Sequence, residues 1–556
     1  MINPRSSRGN EALTTREVGR AVSSPGAARN PRSTLSKFAD AKKRQRTAAL
    51  QNLAVCSNAT FVAPASWSAA VLCRFEIVNP PAYPNPAKRL VRAVFRRFST
   101  HLTHLTFLTH LTPWFILLPF LCSAASNSNP FGLSTRPLAK PWLRMPSQPT
   151  GALPALLSQT GAFKDTRDLT PSDALIPYDL NVAFWSDGAA KSRWISVPND
   201  GSTSPATIKF SKDGEWTFPS GTVFVKHFEF NYREYTRRLE TRLLVCDSTG
   251  GVYGVTYKWR PDNSDADLLA TNLTESIVLR NSEGTYTQAW YYPSREDCRI
   301  CHTTLAGQVL GVKTRQLNRD LLYPSGVTDN QLRAWNHIGL FDGKSADFTG
   351  FPKLAPPNDH TRTLEERARS WLDANCAHCH RPGGTVANFD ARYDTPLPRQ
   401  NLIDGPVLID EGIDNARAIA PHDAWRSIVL MRAGALDGLK MPPLAHNLVD
   451  AEGMALLKDW INSLPGRAVL PPPAITPVGG NFPGPIKISL NENEPDAAIH
   501  YTLDGSVPTK SDPVYEKPIL LSEPAVLRAK AFKTGFTKSI TAQGVFVVGK
   551  SDDDSK

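Results

Sequence analysis

Apolar and polar residues alternate along several segments between residues 150 and 295. TVFVKHFEFNY, RRLETRLLVCD and GVYGVTYKW are rich in β-branched and aromatic residues, with Gly, Asp or Asn near their ends. A two-residue period is typical of β-strands, and the residues between the runs favour turns. The pattern predicts a β-rich domain over residues 150–295, folded as a sandwich or a barrel-like sheet.

One polar segment inside this domain has two interpretations. It carries Asp179, Asn181, Trp185, Asp187 and Lys191. These side chains could bind a substrate or a partner, but Asp and Asn are common turn formers. Turn formation is the simpler interpretation.

A helical period replaces the alternation between residues 361 and 465. TLEERARSWLDA opens with Thr363 and Glu366 in a capping-box pattern, and VDAEGMALLKDWINSLP starts near a potential Asp450 cap and stops at Pro465. Both segments repeat apolar residues every three or four positions. They predict two amphipathic helices that pack together in an α-helical region.

Alternation returns in the last part of the chain. Residues 466–473 are Pro-rich and predict a semi-rigid linker. Residues 474–548 alternate again, with Asp504 and Gly505 as a turn signal, and predict a small antiparallel β-sandwich. The predicted fold class is therefore multidomain α+β: an N-terminal β-rich domain, an α-helical region and a C-terminal antiparallel β-sandwich.

The basic charge of the chain is concentrated at its beginning. The net charge is +11, but residues 1–98 hold 17 Lys and Arg against 4 Asp and Glu, which leaves −2 for residues 99–556. We therefore expect no nucleic-acid partner for the body of the protein. Residues 1–98 are predicted to be a disordered extension or to reflect a misplaced translation start.

Residues 99–125 have the pattern of an export signal. Arginines precede a short apolar core that Pro113 and Pro119 interrupt, and Ser123, Ala124 and Ala125 follow it. A membrane-spanning helix needs about 20 apolar residues, so a cleaved signal fits better than a retained anchor. We expect a periplasmic or extracellular protein without a transmembrane anchor in the mature chain.

Two cysteine pairs are each followed directly by histidine. Cys298, Cys301 and His302 form one C-x-x-C-H motif, and Cys376, Cys379 and His380 form another. In this motif the thiols can bond to the vinyl groups of haem and the imidazole can bind the iron. Zinc knuckles normally lie about 15–20 residues apart, whereas 75 residues separate Cys301 from Cys376, and a redox dithiol expects a βαβ setting. The motifs predict two covalently bound haem c groups.

Each iron then needs a second axial ligand or remains open. Met441, in a Pro-containing loop before the last predicted helix, is the candidate for the haem bound by His380. For the haem bound by His302, the candidates are His337, which lies among apolar residues at helical spacing, and His360. An open iron is the third possibility, and it would favour catalysis over electron transfer.

Residues 363–465 resemble class I cytochrome c through C-A-H-C-H and the Met-Pro loop. That resemblance implies an α-helical fold with His380 and Met441 as axial ligands. Over residues 150–465 the chain resembles a family of exported bacterial di-haem c-type cytochromes, through LIPYDLNVAFWSDGAAKSRWI and CRICHTTLAGQVLGVKTRQLN. The resemblance to the di-haem family implies two haems. We therefore expect a first haem region over residues 296–350 and a second over residues 361–465.

The C-terminal segment resembles a different family. AAIHYTLDGSVPT and VLRAKAFKTG are similar to the Ig-like C-terminal β-sandwich of chitobiases and β-hexosaminidases. The resemblance implies an accessory role and a possible polysaccharide or cell-surface partner for residues 474–548.

These patterns lead to one main functional hypothesis and two alternatives. The main hypothesis is an exported di-haem cytochrome that carries electrons between a redox protein partner, such as a dehydrogenase or a quinol-linked donor, and an acceptor. The first alternative is a peroxidase-like oxidoreductase with an open first iron, so enzymatic activity is left undecided. The second is a surface- or polysaccharide-binding protein that acts through its C-terminal module.

Overall fold

The computed structural model describes residues 130–232, 235–281, 284–343, 347–385 and 388–549. The predicted extension at residues 1–98 and the predicted export signal at residues 99–125 lie outside the described residues. No helix in the described part of the chain combines the length and the hydropathy needed to cross a membrane.

A six-stranded antiparallel sheet dominates the first half of the described chain. The strands of this half are β1 (Phe163–Asp165), β2 (Thr170–Pro171), β3 (Ile176–Pro177), β4 (Ala190–Ser196), β5 (Val223–Asn231), β6 (Thr236–Cys246), β7 (Val252–Trp259), β8 (Ala266–Leu268), β9 (Leu273–Asn281) and β10 (Gly284–Tyr292). Strands β3 to β8 form the sheet in sequence order, while β1 pairs with β2 and β9 pairs with β10. The predicted β-rich region is therefore present.

The two faces of this sheet bury different sets of side chains. On β5, Val223 and Val225 pack into one apolar cluster, whereas Phe224 packs into another. Successive side chains of a strand point to opposite faces, so the alternation seen in the sequence produces this division. Lys226 lies on the Phe224 face, and this face contacts the first cysteine motif.

The first cysteine motif shares its core with the sheet. Short elements follow β10 in this order: α1 (Arg295–Cys301), α2 (Thr314–Leu317), β11 (Asp320–Leu322), β12 (Thr328–Asn330) and α3 (Gln331–His337). Leu332 and Trp335 of α3 are fully buried in one cluster with Ile176 and Phe224 of the sheet. The predicted border between residues 295 and 296 therefore crosses a continuous core.

The second cysteine motif lies among three further helices. They are α4 (Leu364–Asn375), α5 (Ile428–Gly434) and α6 (Ala451–Ser463). Thr363 caps α4 through the Glu366 N–H at 3.2 Å, and Asp450 caps α6 through the Gly453 N–H at 3.0 Å, as the sequence predicts. Trp371 of α4 packs with Leu457 and Trp460 of α6.

The described chain is mostly β, which corrects the expectation of a predominantly α-helical region. Between α4 and α5 it forms turns, isolated bridges and two 3₁₀ turns rather than further α-helices. The many Pro, Gly and Asp residues of this stretch disfavour regular helix. Only three helices therefore support the region around Cys376.

The C-terminal segment forms two sheets that share a core. Its strands are β13 (Ala474–Thr476), β14 (Gly480–Phe482), β15 (Ile486–Asn491), β16 (Ala498–Thr502), β17 (Ile519–Leu521), β18 (Ala525–Phe532) and β19 (Ala542–Val548). One sheet has the order β13-β15-β17 and the other β14-β19-β18-β16. Ile488, Leu527 and Phe546 are buried between them.

One strand pair of this sandwich departs from the antiparallel prediction. β14 and β19 are parallel, with Gly480 opposite Phe546. Only strands joined by a tight hairpin have to be antiparallel, and four strands separate β14 from β19 along the chain. The sandwich therefore has one parallel strand pair at the edge of a sheet.

A polar network joins the sandwich to the helices. The Asp414 carboxylate lies 2.9 Å from the Lys530 Nζ of β18 and 3.5 Å from an Arg426 nitrogen. Arg426 also donates to the backbone carbonyls of Lys538 and Ser539, both at 3.1 Å. The Lys530 side chain is only 1% exposed, so this contact is largely removed from water.

Candidate functional site

Helix α1 places the first cysteine motif directly on the sheet. Its N-cap, Ser294, accepts the Asp297 N–H at 3.2 Å, and Asp297 accepts the Ser294 N–H in return at 2.8 Å. Cys298 packs on Gly254 of β7, where an added Cβ would lie 2.6 Å from the Cys298 Sγ. The missing side chain at position 254 lets the helix approach the strand closely.

His302 follows α1 and is held in one orientation. Its Nδ1 lies 2.6 Å from the carbonyl oxygen of Gln308. A carbonyl only accepts, so Nδ1 carries the hydrogen and Nε2 is left with a free lone pair. Burial, helped by the charge of Lys226, lowers the pKa of His302 to about 4 despite this hydrogen bond. A neutral imidazole with a fixed tautomer suits a metal ligand.

Helix α4 leads directly into the second motif. Cys376 is its C-cap, and the Cys376 carbonyl accepts the N–H groups of Cys379 at 3.1 Å and His380 at 2.9 Å. The His380 ring stacks on Phe389, with centroids 4.3 Å apart. Its Nδ1 is buried and makes no hydrogen bond within the described residues. Burial lowers the pKa of His380 to about 4.

The two motifs meet in space. The thiols of Cys301 and Cys379 lie close enough to shift each other's pKa, although 78 residues separate them along the chain. This contact, together with burial, raises the pKa of Cys301, whereas the hydrogen bonds from Cys301 and His378 lower the pKa of Cys379 to about 4. Sequence analysis predicts each motif but not their contact.

Polar bonds fix the second motif against the β-rich part of the chain. Arg381, directly after the motif, donates to the Leu305 carbonyl at 2.7 Å and pairs with Glu215 at 3.1 Å. The Trp185 N–H donates to the Asn375 side chain at 2.8 Å. Bonds made by the residues directly before and directly after the second motif therefore hold it against the β-rich part of the chain.

A cavity of about 190 Å³ lies at this junction. Its lining includes Cys298, Cys301 and His302 of the first motif and His378 from inside the second. The cavity thus contains the thiols and the imidazole of one complete C-x-x-C-H motif.

Three cations line one wall of this cavity. Arg193, Lys226 and Arg242 are direct partners across the neighbouring strands β4, β5 and β6. Arg193 pairs with Asp179 at 2.7 Å and Arg242 with Glu240 at 2.5 Å, but Lys226 has no ion-pair partner among the described residues. Burial and the neighbouring cations lower the pKa of Lys226 well below its usual value. Like charges in register repel, so the row is suited to an anionic ligand.

These residues fit covalent haem. Two thiols are available for the vinyl groups, His302 offers a free Nε2, and the row of Arg193, Lys226 and Arg242 can bind carboxylates such as haem propionates. Within the described residues, no three His, Cys, Asp or Glu side chains form a group that could hold a bare metal ion.

Met441 lies on the His380 side of the site. Its N–H donates to the Arg432 carbonyl at 2.9 Å, and the Arg432 charge contributes to the lowered pKa of His380. The Met441 side chain is partly buried. The loop that carries Met441 is therefore close to the second motif.

His337 and His360, the candidate ligands for the first haem, are not among the described residues that line the cavity. His337 is exposed and stacks on Phe131, with ring centroids 3.7 Å apart. It ends α3, and because Leu332 and Trp335 of that helix face the core, His337 falls on the outer face. His360 is also exposed.

The polar segment around Asp187 has a structural role that neither sequence interpretation included. The buried Asp187 carboxylate accepts the N–H of Asn447 at 2.6 Å, the N–H of Leu448 at 2.8 Å and the Asn447 side-chain amide at 3.0 Å. The Trp185 indole donates to the Leu448 carbonyl at 2.7 Å. The segment thus binds the end of the Met441 loop.

His446 is a further residue that sequence analysis missed. It is only 2% exposed, and neither ring nitrogen has a hydrogen-bond partner within the described residues. Burial lowers its pKa. His446 lies in the same loop as Met441, and neighbouring Leu444 and Ala445 line the cavity.

A second cavity, of about 560 Å³, lies between the helices and the sandwich. Its wall includes Trp425 and Met431 from the helical side and Ile540 and Gln543 from the sandwich. Glu411, Asp437 and Asp459 add carboxylates. We call this cavity the junction groove.

Comparison with known protein families identifies the C-terminal module. Residues 477–543 match the chitobiase/β-hexosaminidase C-terminal domain family, in agreement with the resemblance seen in the sequence. No curated protein and no solved structure matches the chain. The match covers the sandwich and does not include either cysteine motif.

Proposed function

We propose that the chain is an exported di-haem c-type cytochrome that passes electrons between a redox protein donor and an acceptor. The observation that carries the proposal is that the two C-x-x-C-H motifs meet at one cavity, which is lined by Cys298, Cys301 and His302 of the first motif and by His378 of the second. Two attachment motifs that meet in this way would bring two haems close together. Electron tunnelling weakens steeply with distance, so such an arrangement favours rapid exchange between them.

The residues of each motif have distinct roles in this proposal. Haem iron supplies a reversible one-electron couple when bound. Cys298 and Cys301 would anchor one group and Cys376 and Cys379 the other, while His302 and His380 would offer a nitrogen to each iron. The carbonyl of Gln308 keeps the His302 Nε2 available.

The surrounding residues control charge and access to water. Arg193, Lys226 and Arg242 would neutralise the propionate carboxylates of a bound haem along one wall of the cavity. The core of Trp371, Leu457 and Trp460 excludes water behind the second motif. Met441 is the proposed distal ligand on the His380 side, and a thioether ligand raises the reduction potential.

The test is a haem count on protein made in a host that attaches haem c. Wild-type protein is expected to carry two covalent haems, and each of the paired variants Cys298→Ala/Cys301→Ala and Cys376→Ala/Cys379→Ala is expected to carry one. Cys246→Ala is the matched control, because Cys246 is buried in the sheet core outside both motifs. Wild-type protein without covalent haem would contradict the proposal.

The junction groove favours a second candidate function, the binding of a glycan. It offers the Trp425 ring as a platform and several carboxylates as hydrogen-bond acceptors, and one wall belongs to the module that matches the chitobiase/β-hexosaminidase C-terminal domain. Retention on insoluble chitin is the measurement, with Trp425→Ala expected to abolish it. Leu520→Ser, on an exposed part of the sandwich, is the control. Equal retention of both variants, or none of the wild type, would remove this candidate.

A further inference from the structure

The second cysteine motif contains an additional histidine. In Cys-Ala-His-Cys-His, His378 stands between the two cysteines and two residues before His380. His378 is 8% exposed and lines the same cavity as Cys298, Cys301 and His302. An imidazole from the second motif is therefore placed at the haem pocket of the first.

Because the motif turns tightly, the imidazoles of His378 and His380 contact different parts of the protein. His380 stacks on Phe389, whereas His378 lies 5.4 Å from the Phe184 ring, measured between centroids. Phe184 also lines the cavity with His302, and Phe389 packs against the helical core. The short sequence between Cys376 and His380 thus reaches both haem pockets.

On the basis of the proposed function, we propose that His378 is the second axial ligand of the iron bound by His302. The second motif would then attach one haem through its cysteines and His380 and complete the coordination of the other through His378. With Met441 on the other iron, both irons would then be six-coordinate at rest.

Other residues fit this role less well. His337 and His360 are exposed and do not line the cavity, and no methionine is among its lining residues in the described chain. His446 is buried, but it is not among the residues that line the cavity in the described chain.

The position of His378 is also firmly held. Arg381 bonds to the Leu305 carbonyl at 2.7 Å and to Glu215 at 3.1 Å, and Asn375 accepts the Trp185 N–H at 2.8 Å. These bonds flank His378 on both sides in the sequence. The side chains of Asn375 and Arg381 thus hold the backbone on both sides of His378. A residue held in this way is suited to a fixed coordination geometry.

The test is electron paramagnetic resonance of the full-length holoprotein, together with a haem count. Wild-type protein is expected to show two low-spin irons. His378→Ala should keep two haems but lose about half of the low-spin signal, because one of two irons loses its ligand. Added imidazole should restore the lost signal. His337→Ala is the matched control and should resemble the wild type.

Two further variants make the outcome decisive. His378→Met retains a ligand atom and should remain low-spin with a changed reduction potential, even if His378→Ala folds poorly. His446→Ala tests the competing ligand and should leave the first iron low-spin.

The inference fails if His378→Ala remains fully low-spin with two haems, or if His446→Ala alone produces the high-spin iron. A high-spin first iron in the resting wild type would also overturn it and would favour the open-iron oxidoreductase. Failure of the proposed function itself is distinct, because it appears as absence of covalent haem from the wild type.

Discussion

The carboxylate of Asp187 accepts the backbone N–H of Asn447 at 2.6 Å, across 260 residues of sequence. It also accepts the Leu448 N–H at 2.8 Å. Asp187 belongs to the β-rich part of the chain, and Asn447 ends the loop that carries Met441. One carboxylate therefore links the sheet to the proposed ligand loop of the other haem.

Removal of this carboxylate should loosen the loop. Asp187→Ala leaves two backbone N–H groups without their acceptor, and we expect a loss of about 2–3 kcal/mol of unfolding free energy. Urea unfolding measures the loss. Asp168→Ala, an exposed carboxylate in the same region, should change stability little. Equal losses of unfolding free energy in the two variants would show that Asp187 does not hold the loop in place.

The cation row should respond to removal of its unpaired member. A bound propionate would favour the protonated form of Lys226, so Lys226→Met should take away one positive charge beside the proposed first haem. Oxidised iron then becomes easier to maintain, and its midpoint potential should fall. Redox titration should show the change in one of two waves. Lys209→Met, at an exposed position, is the control. A shift in both waves, or in neither, would argue against the assignment of this wall to one haem.

Gly254 should be sensitive to a single added carbon. A Cβ at this position would lie 2.6 Å from the Cys298 Sγ, so Gly254→Ala must displace α1 and should cost about 1–3 kcal/mol. Haem attachment at the first motif should fall while attachment at the second persists. Gly343→Ala is the control, because no atom lies within 4 Å of the added carbon there. Full attachment in Gly254→Ala would contradict the close packing of Cys298 on β7.

The contact between sandwich and helices should weaken in acid. Burial opposes ionisation of Asp414, but Lys530, Arg426 and Lys538 outweigh it and lower the pKa of the carboxylate below 3.8. The stabilisation is therefore complete above the unfolded pKa of about 3.8 and is lost as pH falls through the lower folded value. Burial lowers the pKa of Lys530 as well, but the 2.9 Å contact favours the charged pair near neutrality.

Substitution at Asp414 tests this dependence. Asp414→Asn should remove the acid-sensitive part of the transition and cost about 1–3 kcal/mol near neutral pH, because Lys530 loses its charged partner. Tryptophan fluorescence can follow the change through Trp425 in the junction groove. Asp404→Asn, whose carboxylate is 71% exposed, is the control. An unchanged acid transition in Asp414→Asn would exclude this network as its source.

Local signals in the sequence were sufficient to predict several structural elements. The caps at Thr363 and Asp450 could be predicted because a cap depends on residues within one helical turn. The sandwich could be predicted from alternation and turn residues, and the family match supports it. The cysteine motifs were visible for the same reason, since their spacing is local.

Contacts between distant segments were not predictable in this way. The meeting of Cys301 with Cys379, and of Asp187 with Asn447, depends on how separate segments pack, which no local period records. His337 shows a further limit of local patterns. Apolar neighbours suggested a buried imidazole, but they occupy one face of α3 and His337 the other. His378 could have been found by asking which non-motif residues lie between the cysteines.

The distribution of cores has a consequence for how such a chain could have been assembled. The C-terminal sandwich has its own buried cluster, so a gene fusion could add it to a chain or remove it as a unit. The segment that follows the first cysteine motif packs with the sheet in one cluster, which contains Trp335 of the helix and Phe224 of the sheet. A recombination event between residues 295 and 296 would divide that cluster, so the sheet and its motif have to be inherited together.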